Sequence, residues 1–289
     1  MKQDRIIAIG LMIVALSAIT GLALIALFLF IEAAPLFLKV GASDFFLSSH
    51  WEPEKGHFGI LSMIAGSAAV MTGAMLIGVV FSLACAVVLT QFCPKKLVAI
   101  IKPCIELLAG IPSVVYGYMG MVTIVPLIGM PTSFYDVSGS TVLAASIVLA
   151  VMVLPTVTSI AVDAFQAVPR SYPEGSIALG ATRWQTTRMV MFPAARSGIV
   201  AAVILGMGRA VGETMAVIMV AGNSLAIPTS IFAPARTLTA NIALEMGYAT
   251  GLHQQALFAT GLSLFAVIML LNSIALTVSR RRSRRGIMT

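Results

Sequence analysis

Long apolar runs alternate with short polar segments along almost the whole chain. Six of these runs are long enough to cross a hydrocarbon layer of about 30 Å, which takes roughly 20 helical residues. They fall near residues 6–31, 60–90, 98–128, 140–162, 197–221 and 255–279. The pattern predicts an all-α integral membrane protein with six transmembrane helices.

A polar segment with two helix-start signals separates the fourth run from the fifth. It begins at Ser171 and reads SYPEGSIALGATRWQTTRMVMFP. Ser171 with Glu174, and Thr182 with Gln185, have the spacing of capping boxes, in which side chains satisfy the free N–H groups of a helix start. Gly180 lies between them, where a left-handed helix stop costs least. We therefore expect two short helices that meet at Gly180.

Apolar side chains on these two helices would lie outside the bilayer. They are Ile177, Leu179, Trp184, Met189 and Val190. Another protein must cover such a surface, so the segment is typical of a docking element.

Composition supports a membrane protein. The chain has 59% hydrophobic and 10% charged residues and a mean hydropathy of +1.01. A soluble chain of 289 residues could not bury that much apolar surface.

The distribution of cations predicts the orientation. If the amino terminus is cytoplasmic, most of the 18 lysines and arginines fall on the inner side. They are Lys2, Arg5, Lys95, Lys96, Lys102, Arg170, Arg183, Arg188, Arg196, Arg280, Arg281, Arg282, Arg284 and Arg285. The acidic Glu32, Asp44, Glu52, Glu54, Asp136 and Glu245 then fall on the outer side. The positive-inside rule places both termini in the cytoplasm, and the terminal RRRSRR run is interpreted as facing the membrane surface, with no nucleic-acid partner.

One cation, Arg209, falls within the fifth apolar run, and Glu213 follows four residues later. Each charge costs roughly 2.5–3.5 kcal/mol at the centre of a bilayer, so a lipid-facing position is excluded. On a continuous helix the two side chains would share one face and could pair. One interpretation is a structural ion pair. The other is an anion path, in which Glu213 positions Arg209 until a tetrahedral oxyanion competes for its fixed donors.

A proline interrupts the third apolar run. Pro112 removes a backbone donor, so the helix is expected to kink or open there, which a membrane protein tolerates only beside protein or water. Pro112, Ser113 and Tyr116 are therefore candidates for lining or gating a pathway.

Small residues recur every fourth position on two runs, a spacing that lets another helix approach closely. They are Ala74, Gly78 and Ser82 on the second run, and Gly208, Gly212 and Ala216 on the fifth.

Cysteines and histidines give no sign of a metal or redox centre. The three cysteines and three histidines lack the spacings of ligand sets. No GxxxxGK[ST] loop occurs, so this chain is not expected to hydrolyse ATP itself, and no cofactor is expected on it.

The polar segment resembles the EAA loop of permease subunits in bacterial ATP-binding-cassette (ABC) importers. Glu174, Gly180 and Pro193 stand at the family positions. Gly175 and Ser176 replace the usual alanines, and phenylalanine replaces the leucine before the proline. In that family the loop is a coupling helix that fits a groove on the ATPase subunit. The resemblance assigns ATPase coupling to Glu174, Gly180, Trp184 and Pro193.

Two further stretches resemble permeases of phosphate importers. One is GMGRAVGETMAV, with Arg209 and Glu213, and the other is IPSVVYG, which contains Pro112, Ser113 and Tyr116. Four residues before the second run favour the PstC-type subunit over the PstA-type subunit. They are Trp51, Pro53, Phe58 and Gly59.

The resemblance implies the MetI-like core of a type I ABC importer permease. Residues 1–57 would form the first transmembrane helix and a periplasmic segment, and residues 58–289 the core with a coupling loop at 163–196. Its partners would be a PstA-type second permease, two ATPase subunits that use ATP and Mg²⁺, and a periplasmic phosphate-binding protein. It would form the phosphate path across the bacterial inner membrane.

Three alternatives stay open. A secondary transporter driven by an ion gradient could use Arg209 and Glu213 as a proton and anion site. A sulfate-type ABC permease would share the architecture. A membrane-embedded enzyme is disfavoured, because the sequence lacks a buried Ser/His or paired-Asp arrangement.

Overall fold

The computed structural model describes residues 2–132 and 139–285, with side chains except at 2–6, 95, 130–132 and 274–285. The described part is mostly helical. Its α-helices are α1 (Lys2–Val40), α2 (Ala42–Leu47), α3 (Leu61–Val87), α4 (Lys95–Ala109), α5 (Ser113–Thr132), α6 (Val142–Gln166), α7 (Ser171–Ala178), α8 (Arg183–Thr186), α9 (Phe192–Gly212), α10 (Met215–Val220), α11 (Leu238–Glu245) and α12 (Leu252–Arg285). π-Helical turns at Val88–Phe92 and Thr187–Met191 extend α3 and join α8 to α9. Strands β1 (Trp51–Glu52) and β2 (His57–Phe58) pair as an antiparallel hairpin.

Five helical stretches of the described residues are long and apolar enough to cross a membrane. They are Ile7–Val40, Leu61–Phe92, Val142–Gln166, Arg183–Gly212 and Leu252–Ser273. A sixth span is a bent pair, Lys96–Ala109 and Ser113–Gly129. With the bent pair counted as one span, the prediction of an all-α protein with six transmembrane helices is confirmed.

The helix break expected at Pro112 is present and is larger than a kink. Helix α4 ends at Ala109, and α5 begins at Ser113 after a bend of 94°. Pro112 has no N–H to donate to the preceding turn. The hydroxyl of Tyr116 instead donates to the carbonyl of Leu108 at 2.8 Å, which satisfies an acceptor beside the break. The third span is therefore two helices.

Helix α6 is the centre of the fold and packs between α3 and α9. On α3, the predicted stripe of small residues lies against it. A Cβ at Gly78 would lie 3.2 Å from the carbonyl oxygen of Ala150, so a larger residue would push the two helices apart by a few tenths of an ångström. The hydroxyl of Ser82 donates to Gly78 O at 2.6 Å and is fully buried. Contact through this stripe is confirmed.

Helix α1 packs mainly against α12. Phe28 and Phe258 meet edge to face, with ring centroids 5.6 Å apart. Trp51 and Phe58 of the hairpin are buried in a separate apolar cluster with residues of α1, α11 and α12. The domain division at residue 57 stays a prediction.

Part of the orientation prediction lies outside the described residues. Asp136 is one such residue, and the side chains of Lys2, Arg5 and the arginines of 280–285 are others. The placement of both termini in the cytoplasm stays a prediction.

Candidate functional site

Arg209 lies where four helices come together. It occupies the last turn of α9, which ends at Gly212. Helix α10 follows after a two-residue break, and packs against both α5 and α6. A Cβ at Gly117 of α5 would lie 2.8 Å from the Cα of Ala216, so this contact depends on glycine. The C-terminus of α9 favours a cation, because its last carbonyls carry partial negative charge.

The guanidinium of Arg209 has few acceptors from the protein. Within the described residues its hydrogen bonding is limited to one long contact, from Nη1 to the Oγ1 of Thr156 at 3.5 Å. A guanidinium carries five N–H donors, so most of them are available to a ligand or to water. Arg209 is half-buried.

Glu213 does not pair with Arg209 within the described residues, so the predicted ion pair is wrong. Helix α9 ends at Gly212, and the backbone leaves the helix at Glu213, with φ −72° and ψ 130°. The carboxylate is instead engaged at the start of the next helix. Its Oε1 accepts from the N–H of Ala216 at 3.2 Å, at the start of α10. Its carbonyl accepts from the hydroxyl of Thr239 on α11 at 3.0 Å.

The predicted stripe on the fifth span is wrong as a helix contact within the described residues. A Cβ at Gly208 or Gly212 would meet nothing within 4 Å. Ala216 lies beyond the end of α9 and is buried against α5.

Tyr116 lies within electrostatic range of the guanidinium of Arg209. It also lines an open, mainly apolar groove of ≈ 270 Å³ between α5 and α6. Pro112 is exposed in the break, and Ser113 is half-buried at the first position of α5. No described contact joins Pro112 or Ser113 to Arg209, and the pathway role of all three residues stays a prediction.

The polar loop forms the two expected short helices, α7 and α8. The capping box of Thr182 and Gln185 is confirmed, with reciprocal bonds of 3.3 Å and 2.8 Å. The box predicted at Ser171 is wrong. The chain is already helical at Arg170, and the N–H of Glu174 donates to the carbonyl of Arg170. The backbone thus takes the donor that a serine cap would satisfy.

Gly180 has the left-handed conformation expected of it, with φ +86°. A Cβ there would meet nothing within 4 Å, so backbone conformation and not space requires glycine. The hydroxyls of Ser176 and Thr186 lie 3.0 Å apart and tie α7 to α8 across this turn.

The outer surface of this loop has no partner within the described chain. Leu179 is 91% exposed and Trp184 58% exposed. Glu174 and Pro193 are also exposed, and Pro193 lies in the first turn of α9. The exposed apolar surface expected on this loop is therefore present, while its partner and the coupling role of these residues stay predictions.

Sequence reasoning missed a buried polar cluster around Glu245. Its carboxylate accepts from Arg236 Nη1 at 2.7 Å and from the indole N–H of Trp51 at 2.8 Å. His253 Nε2 lies 2.8 Å from Glu245 Oε2. Arg236 Nη1 also donates to the Oδ1 of Asn241 at 3.1 Å. Trp51 is 194 residues from Glu245 along the chain, so no local sequence pattern predicts this cluster.

Among the described residues, no group of three or more His, Cys, Asp or Glu side chains could hold a metal ion.

The sequence of this chain matches a known protein family and several known relatives. Residues 78–285 match the family described as binding-protein-dependent transport system inner membrane component. A probable ABC transporter permease protein of Bacillus subtilis, YqgH, is 42% identical over 93% of this chain and 88% of its own. The phosphate transport system permease protein PstC is 38% identical in Mesorhizobium japonicum, over 80% of this chain and 76% of its own. The Haemophilus influenzae PstC is 34% identical, over 92% and 93%.

Solved structures agree on the fold. A bacterial ABC transporter for import of the acidic polysaccharide alginate aligns with a TM-score of 0.63 and 16% identity, over 93% of this chain and 95% of its own. The inward-facing MetNI methionine ABC transporter aligns with a TM-score of 0.60 and 20% identity, over 81% and 99%.

Proposed function

The chain belongs to the family of binding-protein-dependent transport system inner membrane components, and we propose that it is the transmembrane permease subunit of an ATP-driven phosphate importer. Phosphate comes from the names of its PstC relatives. In this proposal the chain forms part of the anion path and is a PstC-type subunit.

One observation carries the anion path: Arg209 has most of its donors free at a junction of helices. A cation that a membrane protein retains without a carboxylate partner is expected to bind an anion or face water. Guanidinium donors match the geometry of a tetrahedral oxyanion. Glu213 keeps its carboxylate at the start of α10, and we assign it to the same path. The helix C-terminus keeps Arg209 in place when no anion is bound.

The exposed loop supports coupling to a separate motor. Glu174, Gly180, Trp184 and Pro193 would contact an ATPase subunit that uses ATP and Mg²⁺. Because α8 continues through the π-helical turn into α9, a displacement of the loop moves the helix that carries Arg209. Closure of the ATPases would thereby switch the path between outward and inward access.

The assembly follows from this role. We propose a PstA-type second permease, two ATPase subunits and a periplasmic phosphate-binding protein as partners. The complex would lie in the bacterial inner membrane, with both termini of this chain in the cytoplasm.

The test is ATP-dependent uptake of labelled phosphate into vesicles that contain the assembled complex. Uptake that needs ATP and resists competition by sulfate supports the proposal. A preference for sulfate would contradict phosphate as the substrate but would leave the proposed architecture of the importer intact. Uptake driven by an ion gradient without any ATPase would instead identify a secondary transporter.

A further inference from the structure

Within the described residues, the hydroxyl of Thr156 lacks the local bond that several other hydroxyls of the spanning helices make. Thr90, Thr260 and Ser263 each donate to the carbonyl four residues earlier, at 2.7–2.8 Å. This local bond is the usual one for a hydroxyl within a helix. Within the described residues Thr156 donates to no carbonyl, and its Oγ1 has the Nη1 of Arg209 as its partner. Its proton is therefore free.

Neighbouring hydroxyls of α6 show the structural alternative. Ser146 donates to the carbonyl of Val70, and Thr158 donates to the carbonyl of Ser82, each at 3.3 Å. Both serve to join α6 to α3, and Thr158 is only 1% exposed. Thr156 is half-buried and points to α9 instead, so it has no part in that contact.

Helix α6 lacks one backbone hydrogen bond directly beside Thr156. Pro155 lies inside α6 and cannot donate to the carbonyl of Val151. Val151 lines the open groove together with Tyr116, which interacts electrostatically with Arg209. Tyr116 thus lies at the groove, and the guanidinium that interacts with it contacts the hydroxyl of Thr156.

We propose that Thr156 is a substrate-path residue that contacts the oxyanion together with Arg209. This inference rests on the proposed function. When the hydroxyl oxygen accepts an N–H from a cation, its own O–H is polarised towards a nearby acceptor. Arg209 then offers N–H donors and Thr156 one O–H donor to different oxygens of the same anion. The contact, at 3.5 Å, also orients the guanidinium.

The test compares variants of the complete importer in vesicles, with ATP and labelled phosphate. Thr156→Val keeps the shape and removes the hydroxyl, and we expect uptake per assembled complex to fall about tenfold, the loss typical of one hydrogen bond to a charged group. Thr156→Ser keeps the hydroxyl and should restore most of the uptake. Thr158→Val is the matched control, and should lower thermal stability while it leaves uptake per assembled complex unchanged.

A double variant separates a shared anion contact from an unrelated effect. Arg209→Lys keeps the charge and loses the fixed donor geometry. If both residues act on one anion, Thr156→Val should reduce uptake less in the Arg209→Lys background than in the wild type.

Two results would overturn the inference and leave the function intact. One is wild-type uptake in Thr156→Val. The other is an equal loss in the valine and serine variants accompanied by lower thermal stability, which would indicate a packing role. If the wild-type complex itself takes up no phosphate, the proposed function fails and the inference fails with it.

Discussion

Arg209 and Arg236 are two half-buried arginines with opposite environments. Arg236 Nη1 bonds to Glu245 and Asn241, and its Nε donates to the carbonyl of Asn223 at 3.1 Å. Within the part of the chain that the structure describes, the side chain of Arg209 has one long contact, to a neutral hydroxyl. The two arginines are similarly buried, so burial does not distinguish their roles. The number of N–H donors without a protein acceptor does. Protein acceptors take three hydrogen bonds from Arg236, whereas within the described residues most donors of Arg209 remain available to an anion.

The largest effect on phosphate uptake is expected from Arg209→Gln. Loss of the cation removes at least two charge-assisted bonds to the anion, each worth about 1.5–3 kcal/mol. We expect uptake per assembled complex to fall by roughly two to four orders of magnitude. Labelled phosphate uptake measures this, with complex assembly checked by co-purification. Full transport by Arg209→Gln would end the assignment of Arg209 to the path.

The reverse profile is expected from Arg236→Gln. The change removes the cation that pairs with the carboxylate of Glu245. That side chain is only 9% exposed. Breaking a buried pair in this way costs about 3–5 kcal/mol. Thermal unfolding of the purified complex should show the loss, while uptake per surviving complex stays near wild type.

Glu245→Gln is the companion variant for that cluster. It keeps the size of the side chain and should also lower the unfolding temperature, since Arg236 then loses its buried counter-ion. If either variant abolished uptake and left stability unchanged, the outer cluster would belong to the path and the contrast between the two arginines would fail.

These two regions also differ in how far sequence could predict them. The charge of Arg209 within an apolar run is a local signal, so the sequence alone singles out this residue as a candidate. Its neighbours were not predictable in the same way: α9 ends at Gly212, which separates Glu213 from it, and Thr156 is 53 residues away. Helix ends in a membrane depend on packing by other helices, and the sequence of one helix does not record that packing.

The loop shows the opposite case, because its determinants are local. Thr182 and Gln185 form the capping box that their spacing predicts, and Gly180 takes the left-handed conformation. Ser171 failed as a cap because the turn at Pro169 and Arg170 already starts the helix. Six spans could be predicted from apolar length alone, whereas the 94° bend between α4 and α5 could not.

Gly180→Val separates loss of the motor from loss of the anion contact. A side chain in the left-handed region costs roughly 1–2 kcal/mol, and valine, which is branched at Cβ, tolerates it poorly. We expect weaker co-purification of the ATPase and an uptake loss of about 5- to 30-fold.

Gly175→Ala is the matched control for that variant. Gly175 is helical, and an added Cβ would meet nothing within 4 Å. Alanine should stabilise α7 by about 1 kcal/mol and leave coupling intact. Equal damage from both substitutions would mean that the surface itself, and not the turn at Gly180, is required.

The smallest effect on uptake should come from Tyr116→Phe. This variant tests whether the accessibility of Arg209 depends on the break in the third span. The change removes the bond from the Tyr116 hydroxyl to Leu108 O, worth about 0.5–1.5 kcal/mol. Uptake should fall by about two- to tenfold, because the α4–α5 bend beside Arg209 loses one of its fixed contacts. Tyr118→Phe is the control. Tyr118 is 54% exposed, and its hydroxyl makes no hydrogen bond within the described residues. If phosphate uptake is unchanged in Tyr116→Phe, the break is not needed to keep Arg209 accessible, and the end of α9 alone accounts for the difference between the two arginines.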